Sequence, residues 1–263
     1  MGPTSQHDGP ESVAAQRVSS VVTTFVNDKV SWDGSGRGQG GCTIGAMDCC
    51  SPGDSPFDRQ FDARHAAEHL RAYRRNGPVG LTRALIDGLA EGGLDGRTVL
   101  DIGGGVGAIH HELLRSGAAA AVDVDASRAY VSVAREEADR QGHADRAQYL
   151  TGDFIALADQ IQPADLVALD RVICCYGDVA ALVGRSATLA RRRYGLVYPR
   201  DTWVGRLGAT LMNARFRMVR SPFRTYIHRT AEVEGILAGH GLVKRIHQTT
   251  LIWQLQIYER PVA

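Results

Sequence analysis

The densest chemistry in the sequence lies in one short run, Val99-Leu100-Asp101-Ile102-Gly103-Gly104-Gly105-Val106-Gly107. An apolar, strand-like stretch enters a glycine turn, and helix-forming residues follow from Ala108. Glycine permits positive φ and lets a ligand approach the backbone. The helix that follows presents unpaired N–H groups carrying partial positive charge. Such a turn suits a nucleotide-like or carboxylate-bearing ligand at the carboxyl end of a sheet. Gly103, Gly105 and Ala108 also satisfy the G-x-G-x-x-A spacing of a dinucleotide site. Asp101 separates the two readings. A carboxylate two residues before the first glycine, expected to face the cleft, repels a pyrophosphate and suits a ligand with an ammonium group.

S-adenosylmethionine is such a ligand, with a free α-amino group and a sulfonium. Asp101-Ile-Gly103-Gly-Gly105-Val-Gly107 is a D-x-G-x-G-x-G pattern and resembles motif I of class I methyltransferases. The resemblance implies that Asp101, Gly103, Gly105 and Gly107 bind the cofactor. Val124-Asp125-Ala126-Ser127 resembles the family's V-D-x-S, which implies that Asp125 accepts the ribose hydroxyls, with Asp123 as the fallback. Gly152-Asp153-Phe154 resembles its G-D motif, with Asp153 toward the adenine amine and Phe154 against the ring. Ala164 to Asp170 resembles the fourth-strand motif, whose end lies beside the transferred methyl group. Asp170 either holds the methionine amino group or caps the loop. The resemblance covers Arg97 to Glu259.

The acceptor side is less sharply written. Methyl transfer needs proximity and alignment, and a base only where the nucleophile must lose a proton. In the loop Asp170 to Asp178, Tyr176 is the candidate orienter or weak base, and Cys175 a wall residue. An insertion from Pro199 to Arg229 places Trp203, Val204, Leu207, Leu211, Met212, Phe216 and Val219 over one broad helical face. Arg206, Arg217 and Arg220 gather on the other, and are the candidates for binding an anionic acceptor. The same element would serve as an acceptor cap, as a contact with anionic lipid, or as a packed helix with a solvated basic face. Arg193 to Arg200, Ser221 to His228 and Gly241-Leu242 resemble the C-terminal region of magnesium-protoporphyrin O-methyltransferases, which methylate a porphyrin propionate. This chain departs from that family's I-H-Y-P, with Ile173-Cys174-Cys175-Tyr176-Gly177 instead. The resemblance therefore implies kinship rather than a shared substrate.

Positioning these groups requires strands alternating with helices. Strands are expected at 98–102, 119–124, 148–150, 166–169 and 195–198, with helices at 108–115, 128–141 and 178–192. That alternation implies crossover connections and a parallel sheet. Two β-rich runs, 242–249 and 251–259, predict an antiparallel pair closing one sheet edge. Before the glycine turn, an amphipathic helix from Phe57 stops near Asn76-Gly77-Pro78, and another covers 81–90. The expected architecture is α/β: a Rossmann-like, seven-stranded, mostly parallel sheet with an antiparallel C-terminal pair and helices on both faces. Residues 1–56 read as a flexible segment, 57–96 as a helical cap, and 97–263 as the methyltransferase domain, with 199–229 its acceptor-side insertion. Residues 57–90 and 199–229 are expected to enclose the acceptor.

Composition narrows the class. The chain has 263 residues, 44% hydrophobic and 22% charged, enough for a core without disulfide or metal staples. Its 30 basic and 29 acidic residues give a net charge of +1, against a nucleic-acid-seeking surface. No apolar run reaches membrane-spanning length, and Met1 to Gln16 lacks a secretory pattern. Cys42, Cys49, Cys50, Cys174 and Cys175 are odd in number and read as free thiols of a cytoplasmic protein, without a zinc-type spacing. The expected activity is methyl transfer from S-adenosylmethionine to a small molecule, at oxygen, with no metal. The competing readings are a non-catalytic protein using the cofactor fold for sensing or partner binding, and an NAD(P)-dependent oxidoreductase. The acceptor and the oligomeric state are not written in the sequence.

Overall fold

In the computed structural model, residues 56–261 are described. The expected flexible segment and Cys42, Cys49 and Cys50 lie outside them. The chain opens with three helices, α1 (Pro56–Gln60), α2 (Ala63–Asn76) and α3 (Gly80–Ala90). Then β1 (Thr98–Ile102), α4 (Ala108–Arg115), β2 (Ala120–Asp125), α5 (Arg128–Gln141) and β3 (Ala147–Thr151) follow. The second half contains α6 (Phe154–Leu157), β4 (Ala164–Asp170), α7 (Val179–Thr188), β5 (Ala190–Pro199), α8 (Trp203–Met218) and α9 (Thr230–Gly239). It ends with β6 (Val243–Thr249) and β7 (Trp253–Glu259).

The strands form one seven-stranded sheet in the order β3-β2-β1-β4-β5-β7-β6. Pairing from β3 to β5 is parallel. The C-terminal pair closes one edge as expected, with β6 and β7 antiparallel. β7 inserts between β5 and β6 and runs antiparallel to both, so β6 is the edge strand. The reason is patterning: β7 is buried almost throughout, whereas β6 is largely exposed. The central strands read as continuous apolar runs because both faces are covered. On one face Leu100, Ile102, Val167 and Leu169 pack with α7 and α9, through Leu182, Val183, Val233 and Leu237. On the other, Val99, Leu166, Ala168 and Val197 pack with α3 and α4, through Leu85, Leu89, Ile109 and Leu113.

The helix expected over 178–192 ends at Thr188, and β5 begins at Ala190. Arg191 to Arg193 imitate a basic last helical turn, yet they start the strand. Arg193 instead reaches back to the carbonyls of Gly88, Leu89 and Glu91 at the end of α3. Its guanidinium supplies donors to carbonyls that a helix end leaves unpaired. Among the described residues no helix is long and apolar enough to cross a membrane.

Candidate functional site

Parallel pairing in register aligns the strand ends along one edge of the sheet. Ile102 sits beside Val124, Asp125 beside Thr151, and Asp170 beside Val197. From β1 the chain enters the glycine turn, where Gly103, Gly105 and Gly107 all have positive φ. Gly103 is required twice over, because a Cβ there would lie 2.6 Å from Val172 Cγ2 on the loop after β4. Gly107, left-handed at φ 80°, caps the start of α4.

Asp125, half-buried at the tip of β2, locks this turn. Its Oδ2 accepts from the Gly105 N–H at 2.9 Å and its Oδ1 from the Ser127 N–H at 2.8 Å. Ser127 in turn caps α5. A carboxylate oxygen accepts more than one hydrogen bond, so these amide contacts do not preclude ribose hydroxyls.

Asp101 takes a different place from the one expected. It is 1% exposed, covered by α4 and by the turn. One oxygen lies 2.9 Å from His110 Nδ1 and accepts from the His110 N–H at 3.3 Å. Across the β1–β2 register stands Asp123, also 1% exposed. A Cβ on Gly104 would fall 2.3 Å from Asp123 Oδ1 and 2.9 Å from Asp101 Oδ2, so the turn sits directly over both carboxyls. Burial, and then the neighbouring Asp101 and Asp125, push the Asp123 carboxyl well above the usual carboxylate range. Asp101 thus positions the turn and α4 from below. His110, two residues into α4, is the partner that sequence reasoning missed; only its spacing from Asp101 hinted at it.

At the end of β3, Asp153 caps α6 through the Ile155 N–H. Both its oxygens accept from the Tyr176 hydroxyl, at 3.0 and 2.9 Å, which ties the loop after β3 to the loop after β4. Burial, then the Asp153 carboxylate, push the Tyr176 phenol up to about 12. Phe154, expected against an adenine ring, is instead 5% exposed within the core beside Leu100 and Ile102. As the first residue of α6 it is turned inward, where a short helix needs an apolar anchor.

Asp170 accepts from Thr82 Oγ1 at 2.7 Å, with Arg171 Nη1 at 3.5 Å. Arg171 is a left-handed residue at φ 59°, and its guanidinium lies over the Trp253 ring. Thr82 and Arg171 were not anticipated, since neither belongs to a motif. His228 Nε2 lies 2.8 Å from the Ile173 carbonyl and 2.9 Å from that of Tyr176, so it braces the Cys174-Cys175 turn.

The covering elements differ from expectation. Residues 56–76 do reach the site: Ser127 Oγ donates to the Phe61 carbonyl at 2.6 Å, and Phe57 and Phe61 meet Phe223 edge to face. By contrast α3 packs mainly on the sheet and meets the site through Thr82, which donates to Asp170. In the insertion, Phe216 is buried against Phe223, but Trp203, Val204, Leu207, Leu211 and Val219 are exposed. The helix docks instead through Gly205 and Ala209, which allow close approach, and through the buried ring of Phe216. Arg206 pairs with Asp201, whereas Arg217 and Arg220 are exposed.

This edge combines backbone amides, carboxylates at three strand ends and a turn that admits no Cβ at Gly103. That donor and acceptor set fits a ligand bearing hydroxyls, an amine and an ammonium group. Residues 99–191 match the family described as a methyltransferase domain. The chain carries a class I S-adenosylmethionine-dependent methyltransferase domain. Its fold is shared with magnesium protoporphyrin IX methyltransferase from Synechocystis PCC 6803 with bound S-adenosylhomocysteine. That structure is 22% identical, with a TM-score of 0.56, over 74% of this chain and 96% of that one. The same enzyme with bound S-adenosylmethionine is 19% identical, with a TM-score of 0.55, over 98% of this chain and 100% of that one. An O-methyltransferase family protein from Burkholderia thailandensis is 19% identical, with a TM-score of 0.57, over 76% of this chain and 60% of that one. At these identities the likeness is one of fold. No curated protein sequence matches the chain. For the methyltransferase domain, the observed strand order and the β7 reversal are those of the fold that motif I implied.

Proposed function

We propose that the domain transfers a methyl group from S-adenosylmethionine to an oxygen of a small anionic molecule. The observation that carries this reading is the Asp125 lock on the glycine turn, which holds amides and carboxylate together at one strand edge. In this reading the turn Gly103, Gly105 and Gly107 receives the cofactor, Asp125 its ribose, Asp153 its adenine amine and Asp170 its amino group. When bound, the cofactor supplies an electrophilic methyl carbon on a positively charged sulfur. Tyr176 donates to Asp153, and with its phenol pushed up to about 12 it orients rather than removes a proton at neutral pH. An acceptor oxygen that is already ionised, such as a carboxylate, needs no base. Phe57, Phe61 and Phe223 supply an apolar wall for its body. Arg206, Arg217 and Arg220 supply the cationic rim, where an acceptor anion would compete with Asp201 for Arg206.

Calorimetry with S-adenosylhomocysteine tests the cofactor site. Asp125→Asn is expected to weaken binding by about 10- to 100-fold, the worth of a charge-assisted hydrogen bond. Unchanged affinity would remove Asp125 from the site, and binding of NADH in place of S-adenosylhomocysteine would favour the oxidoreductase. Labelled methyl transfer to carboxylate-bearing acceptors tests the chemistry. An ester product releases its label in mild alkali, and label that resists alkali would count against a carboxylate acceptor.

A further inference from the structure

Among the described residues, the exposed large apolar side chains concentrate on one side of α8. Trp203 is 76% exposed, Leu211 63% and Met218 84%, with Val204 and Leu207 also exposed. At about 100° per residue these side chains fall within roughly a 100° arc, a single stripe along a helix on the order of 24 Å long. The buried Gly205, Ala209 and Phe216 lie on the opposite side. Arg206 and Arg217 flank one border of the stripe and Arg215 the other. From residue 200 to 229 the chain carries Arg200, Arg206, Arg215, Arg217, Arg220, Arg224 and Arg229 against a single acid, Asp201.

We propose that this face of α8 docks on an anionic lipid bilayer, lying in its interface. Large contiguous apolar patches on a soluble surface mark interaction sites. A tryptophan-containing stripe bordered by arginines suits the headgroup boundary, where rings and alkyl chains enter the acyl region and guanidinium groups meet lipid phosphates. The helix docks through the opposite face, with Gly205, Ala209 and Phe216, so the stripe is the outward, convex side of the helical cylinder. A bilayer accepts a convex ridge, whereas a protein partner would need a complementary groove. Charge decides the lipid class: seven arginines against one aspartate favour acidic headgroups and make the attachment salt-sensitive. This proposal shares Arg206 and Arg217 with the acceptor rim proposed above, but it stands on the exposed apolar stripe, which that reading does not use.

The test is co-sedimentation of the full chain with vesicles of phosphatidylcholine alone, or with about a third phosphatidylglycerol. Binding is expected to the anionic vesicles only, and to fall at least tenfold as salt rises to about 0.5 M. The triple substitution Trp203→Ala, Leu211→Ser and Met218→Ser, all exposed, is expected to lower that binding at least tenfold. It should leave S-adenosylhomocysteine affinity and melting temperature unchanged. Absence of binding, equal binding to neutral vesicles, or equal binding by the triple variant would each overturn the proposal. So would a dimer abolished by the same substitutions with no lipid binding, which would assign the stripe to a second copy.

Discussion

Asp101 and Asp123 lie side by side under the glycine turn, and burial with mutual repulsion pushes Asp123 well above the usual carboxylate range. The Asp101 carboxylate meanwhile holds the His110 amide and ring. Asp101→Ala would strand both His110 groups, so it is expected to cost about 1–3 kcal/mol of stability. It should weaken S-adenosylhomocysteine binding at the same time, by loosening the turn. A carboxylate facing the cleft would give lost affinity without unfolding; the buried position couples the two. Urea unfolding alongside calorimetry separates them, and full stability with lost affinity would restore a direct ligand contact. Tyr176 carries the second prediction at this scale. Because its phenol is pushed up to about 12, Tyr176→Phe is expected to lower kcat/KM by less than about tenfold and leave the pH profile flat to about pH 9. A general base would instead cost roughly 100- to 10,000-fold and remove a limb from the profile.

Between elements, close approach is bought by absent side chains. A Cβ on Gly88 of α3 would lie 2.2 Å from Ile257 Cδ1 on β7, and one on Gly195 of β5 would lie 2.3 Å from Leu85 Cδ1 on α3. Leu85 is fully buried and has nowhere to move. Gly195→Ala is therefore expected to cost about 1–3 kcal/mol by overpacking, read as a lowered melting temperature. An unchanged melting temperature would mean that α3 can slide on the sheet. On the opposite border α2 is tied to α5 by Arg74, which donates to Glu137 at 2.8 Å. Burial opposes the Glu137 charge, but Arg140, Gln141 and Arg74 outweigh it and bring its carboxyl down to about 2. The covering helix α2 is thus held by this polar tie together with a small apolar cluster, Ala66, Leu70 and Tyr73 against Tyr130, while the sheet helices are held by the two larger cores.

For the molecule as a whole, a buried histidine predicts acid sensitivity. Burial, then His110 and His143, push the His111 imidazole down to about 2, and its Nδ1 lies 2.9 Å from His143 Nε2. Its folded value lies below its unfolded value, near 6.5. The unfolded chain therefore binds the proton first. The stabilisation is complete above about pH 6.5 and is lost progressively as pH falls toward the folded value. At pH 5 this site alone is expected to lower stability by about 2 kcal/mol relative to pH 8. Urea midpoints of wild type and His111→Asn at the two pH values check this. The same pH slope in both would remove His111 as the cause.

By itself the sequence determined the alternation of strands and helices, the glycine turn and the strand-end acids Asp125, Asp153 and Asp170. Those features are local: apolar periodicity, positive-φ turns and caps such as Ser127 depend on residues a few positions apart. Tertiary structure alone decided where side chains from distant segments end. It buried Asp101 on His110, drew Phe154 into the core and joined Tyr176 to Asp153. It also started β5 early on three arginines, inserted β7 between β5 and β6, and turned the apolar stripe of α8 outward. Periodicity shows that a helix has an apolar face. Which face packs depends on the neighbour, and here the neighbour accepted Gly205, Ala209 and Phe216 and left Trp203, Leu211 and Met218 to solvent.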